Sequence, residues 1–143
     1  MCLLALSGCA AAPLSEYIGT ANHPYDRKIQ ENYQKVTGAV VYVLRNKGWS
    51  VAEESLPSVY ERNERYEHNG YQNLLIMTAI KRHYWGLYGT LAHLNILVHS
   101  LGDASEVEIR YESRVTFIRQ FIFTRSDRMV EGMLDAIEKE ATK

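Results

Sequence analysis

Beyond position 9 this chain of 143 residues has no cysteine; its only two are Cys2 and Cys9. That absence excludes a disulfide framework for the folded part, and a cysteine-ligated zinc site with it. A basic excess is missing too. Sixteen Lys and Arg stand against seventeen Asp and Glu, for a formal net charge of -1, whereas a nucleic-acid binder carries a clear positive surplus. No nucleic-acid partner is expected. Among aromatics the chain is poor in Phe and Trp, with three and two, but has ten Tyr. A tyrosine packs its ring while keeping its hydroxyl wet, which suits half-buried sheet edges and binding faces.

The usual catalytic signatures are absent as well. There is no Gly-x-Ser-x-Gly elbow, and Ser100, Ser105 and Ser126 fall at expected turns or caps, where serine has structural reasons to be. Gly86 and Gly89 bracket a turn without the glycine spacing of a phosphate loop. Glu53-Glu54, and Glu106 with Glu108, read as ordinary exposed carboxylates. His93 and His99 are six positions apart, about 20 Å along a strand, too far to share an ion. His83 could approach His93 across a hairpin, but two His without a nearby carboxylate make a poor zinc site. The histidines are therefore expected at the surface. No enzyme, metal or cofactor is expected.

What is present begins at the amino terminus. Met1 to Ala12 reads Met-Cys-Leu-Leu-Ala-Leu-Ser-Gly-Cys-Ala-Ala-Ala, an apolar run closing on small residues, as at the end of a secretory signal. It is far too short to span a bilayer, which takes about 20 residues. Leu6-Ser7-Gly8-Cys9 resembles the lipobox of bacterial lipoproteins. The resemblance implies diacylglycerol on the Cys9 thiol, cleavage before Cys9 and acylation of its amine. Each buried methylene contributes about 0.8 kcal/mol, so two or three acyl chains hold a domain at a membrane without a spanning helix. In such families Ala after the Cys, here Ala10, implies the periplasmic side of the outer membrane. Residues 1–9 thus read as a truncated lipoprotein signal, with a basic start and more apolar residues expected upstream of Met1.

Residues 10–24 read as a flexible tether, and 25–143 as one domain, ordinary in its 46% hydrophobic and 23% charged content. A helix is predicted from Pro24-Tyr25 to Asn46. Its apolar stripe is Ile29, Tyr33, Val36, Val40, Val43 and Leu44, and its end is the left-handed Gly48. A strand follows over 49–54, then a polar edge segment, Ser58 to Tyr66, and a hairpin turn at Asn69-Gly70. Gln72 to His83 reads as an apolar strand whose apolar side is Leu74, Ile76, Thr78 and Ile80; Leu91 to Ser100 reads as another.

In Glu106 to Phe117, Val107, Ile109, Tyr111, Val115 and Phe117 alternate with charged residues, a period of two with one face buried. Thr124 or Ser126 caps a last helix with the stripe Met129, Val130, Met133, Leu134 and Ile137. The sum is a two-layer α+β domain: a four- or five-stranded antiparallel sheet with the amino- and carboxy-terminal helices on its one apolar face. The polar strand face of Lys81, Arg110, Arg114, Glu108 and Glu112 is expected to be solvated, and so is the side of the Leu91 to Ser100 strand that carries His93, Asn95 and His99. Small envelope lipoproteins with a step like Lys47-Gly48-Trp49 are similar in layout.

These observations lead to a non-enzymatic, membrane-anchored envelope lipoprotein acting as an accessory or protein-binding module. Its partners are the membrane, through acyl chains on Cys9, and another envelope protein. The candidate contact is the aromatic hairpin tip of Tyr84, Trp85 and Tyr88. The alternative is a carrier of a small amphiphile, held between helices and sheet in a cavity lined by residues such as Val40, Ile76 and Ile109.

Overall fold

The computed structural model describes residues 25–55, 75–85, 88–117, 120–124 and 127–143. In chain order the elements are β1 (Tyr25–Ile29), α1 (Tyr33–Asn46), β2 (Ser50–Ser55), β3 (Leu75–Trp85), β4 (Tyr88–Ser100), β5 (Ser105–Phe117), β6 (Gln120–Thr124) and α2 (Asp127–Ala141). The six strands form one antiparallel sheet in the order β2-β3-β4-β5-β1. β6 also pairs with β5, so β5 meets β1 along its first half and β6 along its second. The fold is α+β, with two helices and an antiparallel sheet. The segments 58–66 and 69–70 lie outside the described residues.

The first element corrects the sequence reading. Tyr25 to Ile29 is not the start of the helix but a strand on β5, with Tyr25 opposite Ile109 and Ile29 opposite Ser105. Ile29 and Tyr33 are four apart, a helical spacing, but pairing with β5 overrides that local signal. The strand alternates in its own right, with Asp26 and Lys28 exposed and Ile29 buried. α1 starts instead after Asn32, whose side-chain oxygen accepts the Lys35 N–H at 3.0 Å. That N-cap satisfies one of the free donors of the first turn. The Ser105 hydroxyl donates to the Glu31 carbonyl at 3.0 Å, tying the β1–α1 junction to β5.

α1 ends as the sequence predicts. Gly48 has φ 74°, its N–H donates to the Arg45 carbonyl, and the Trp49 N–H donates to the Leu44 carbonyl at 2.9 Å. This pair of bonds is the Schellman closure, which satisfies end carbonyls and brings the residue after glycine back onto the helix. Trp49 and Leu44 accordingly share the core. A turn forms at Leu101-Gly102-Asp103, with Gly102 at φ 82° and the Leu101 N–H bonded to the Ala104 carbonyl at 2.8 Å. Of the two caps expected for α2, Thr124 is the last residue of β6 instead, and Ser126 lies outside the described residues.

Both helices cover one face of the sheet. Val36, Val40, Val43 and Leu44 of α1 and Val130, Met133, Leu134 and Ile137 of α2 share one cluster with Met77, Leu94, Ile96, Val98, Val107 and Ile109. Arg27 on β1 fastens α2 through Asp135, and through Glu138 at 3.2 Å. β3 presents the opposite set of residues from the one expected. Met77 and Ala79 meet the helices, while register puts Ile76 opposite Leu97 and Ile80 opposite His93, on the other face. Because β3 is apolar in both sets, it lacks the period-two contrast that fixes a face.

That other face is also not the solvated surface expected. His93, Asn95, His99, Glu108 and Arg110 are buried, beside a fully buried Leu97. None of these five polar residues is without a partner, as burial requires. One interaction is the ion pair between the Arg110 guanidinium and Glu108 at 2.5 Å, whose side chains are 2% and 12% exposed. Alternation says which residues share a face, not whether that face is wet.

Candidate functional site

Along the helix-facing side of β4, successive residues are Val98, Ile96, Leu94 and Ala92, and each is buried. The first three fill the space beneath the helices. Ala92 does not, and α1 ends and α2 begins near this end of the sheet. A cleft of about 410 Å³ results. The end of α1 contributes Lys47 and Trp49, the sheet contributes Lys81, Thr90, Ala92 and Tyr111, and α2 contributes Met129 and Met133.

Each wall has a local cause. The Schellman closure at Gly48 turns Trp49 inward, where it is 7% exposed. Its ring meets Tyr111 of β5 edge-on, with centroids 6.5 Å apart and planes at 81°, the T-shaped arrangement aromatic pairs favour. Met129 and Met133, one turn apart on α2, add thioethers that adapt to irregular shapes. Lys81 lies opposite Ala92 on the sheet. Its ammonium donates to the Lys47 carbonyl at 2.8 Å and stands 6.0 Å from the Trp49 ring centroid, at the outer reach of a cation–π contact. Among the described residues the lining contains two lysines and no acidic side chain.

The residues expected to carry function are not among the described residues that line the cleft. Cys9 lies outside the described residues. Tyr84, Trp85 and Tyr88 come together at one end of the β3–β4 hairpin, where Trp85 pairs with Tyr88 and Tyr84 with Gly89; their side chains lie outside what the structure describes. The expected cavity lining is corrected. Val40 and Ile109 are in the closed core with no exposure, and register places Ile76 on the face away from the helices. The cleft opens instead at the end of the core; sequence reasoning missed Trp49, Ala92, Tyr111 and the two methionines as its lining, and placed Lys81 on the solvated polar face, whereas register sets it opposite Ala92 in the cleft. The shrinking series Leu94 to Ala92, set against the Gly48-Trp49 step, was the available signal. Among the described residues no group of three or more His, Asp, Glu or Cys is placed to hold a metal ion.

Compared with known proteins, the chain matches no protein-family model, and no curated protein matches it significantly.

Proposed function

We propose that this chain is a non-enzymatic, lipid-anchored protein of the bacterial cell envelope whose domain is a binding module. Leu6-Ser7-Gly8-Cys9 supports the anchor. No helix among the described residues is long and apolar enough to cross a membrane. The anchor is tested by mass spectrometry of the native amino terminus, where acylated Cys9 is expected as the first residue. Cys9→Ser is then expected to move the protein out of the membrane fraction. An unmodified Cys9 inside an intact chain would refute this part.

The observation that carries the domain's role is the cleft lined by Trp49, Tyr111, Met129 and Met133. Sites for small molecules are concave and mainly apolar, with a few placed polar groups, and this one has that make-up. It favours the carrier reading, in which the domain holds an amphiphile between helices and sheet. The test is native mass spectrometry of the protein purified from envelopes, with a bound single-chain amphiphile expected. Loss of that adduct in Met133→Trp, which fills the cleft, would locate it. A protein that takes up no amphiphile would end the carrier reading.

The accessory reading rests on the hairpin of Tyr84, Trp85 and Tyr88, whose positions the β3–β4 register brings together. It predicts an envelope protein that co-purifies with the wild type and is lost with Trp85→Ala. Retention of that partner would exclude the hairpin.

A further inference from the structure

The cleft has a sign. The molecule as a whole is nearly neutral, with sixteen basic and seventeen acidic residues, yet the described residues around this opening include Lys47 and Lys81 and no carboxylate. Lys47 is exposed and Lys81 half-buried. The Lys81 stem lies along the cleft, and its ammonium is held near the Trp49 ring by the bond to the Lys47 carbonyl. That bond uses one of the three donors of an ammonium, leaving two for a ligand. Fixing Lys81 in this way also removes part of the rotamer entropy that a free lysine loses on binding.

The volume sets the other half of the ligand. Small-molecule sites span roughly 300–1,000 Å³, and about 410 Å³ lies toward the lower end, which suits one alkyl chain better than two. We propose that the cleft selects a single-chain amphiphile with an anionic head, carboxylate or phosphate. The chain lies against Trp49, Tyr111, Met129 and Met133, and the head meets the ammonium groups of Lys81 and Lys47. Lysine binds as a point charge without the planar fork of arginine, so both head chemistries are accepted and a cationic head is rejected. This assignment rests on the carrier reading and adds the sign of the head to it.

The experiment is calorimetry on the full chain carrying Cys9→Ser, so that no attached acyl chain competes. Four amphiphiles with the same tetradecyl chain length are titrated below their micelle-forming concentrations: myristate, tetradecyl phosphate, tetradecyl maltoside and tetradecyltrimethylammonium. The two anions are expected to bind at least about tenfold tighter than the cation, a difference of about 1.4 kcal/mol, with the maltoside between them. Lys81→Met keeps the stem over Trp49 and removes the charge. It is expected to abolish the preference by weakening the two anions far more than the maltoside. Lys47→Met, at an exposed position, is expected to weaken the preference in a chain whose fold is not in question. The myristate and phosphate arms report which head is preferred, and a preference for either over the cation supports the assignment. Equal affinity for anions and cation in the unsubstituted chain, or a preference untouched by both lysine changes, would overturn it while the carrier reading stands. Binding of none of the four would end both.

Discussion

Gly48 shows how much one residue controls. At φ 74° it occupies the left-handed region, which costs a residue with a Cβ about 1–2 kcal/mol. A Cβ there would come no closer than 3.9 Å, to the tip of Lys81, so the cost is one of backbone and not of clash. Gly48→Ala is expected to lower stability by about 1 kcal/mol, read as a shift of the urea midpoint, with Gly48→Asn costing less. The consequence reaches the site, because the same closure presents Trp49 to Tyr111 and sets the Lys47 carbonyl where Lys81 meets it. If Gly48→Ala altered stability no more than a change at an exposed mid-helix position, the closure would not be holding that end of α1.

At the scale of elements, β1 and α2 are joined by charge as well as by packing. Arg27 meets Asp135 and Glu138, with side chains 29%, 69% and 46% exposed. Pairs as open as these contribute little, about 0.2–1 kcal/mol each. Arg27→Met, which removes both pairs, is therefore expected to cost no more than about 2 kcal/mol in thermal unfolding at low salt, and less at 1 M salt, where screening acts within about 3 Å. A loss of several kcal/mol would show that β1 depends on this link for its place in the sheet. The hydrogen bond that Arg27 donates to Asp135 raises the Arg27 pKa above its ordinary value. A raised folded-state value means that the part of the contribution set by Arg27 is complete at neutral pH and is lost as pH rises through the titration of the guanidinium.

For the molecule as a whole, the unusual feature is a sheet with one apolar face under two helices and a second face that buries polar side chains. Arg110 and Glu108 are two of the charged residues on that second face. Removing one partner of a buried pair strands the other and costs about 3–5 kcal/mol, whereas replacing both by apolar residues of similar size is often nearly neutral. Glu108→Ala is accordingly expected to be strongly destabilising, and the double change Glu108→Leu with Arg110→Met much less so, in urea titrations run side by side. Equal losses in the two would mean that the pair is not the unit that matters. The cleft is also a property of the whole, since its walls come from α1, three strands and α2.

The α+β class, α1 after Tyr33, the Gly48 end, the strand at 106–117 and the stripe of α2 were all legible in the sequence. Each depends on local periodicity or on a residue whose backbone freedom is intrinsic. Three matters were decided only by tertiary structure. Tyr25–Ile29 became a strand because β5 offered an edge, which no window around Ile29 contains. β3 turned Met77 and Ala79 inward because both of its residue sets are apolar, and only the packed helices choose between them. The cleft arose where Ala92, Trp49 and Met133, far apart in the chain, meet at the end of the core. Its volume is a difference between side chains and the space enclosed around them. That space is fixed by where helices and strands stop relative to one another, a relation the linear order of residues does not carry.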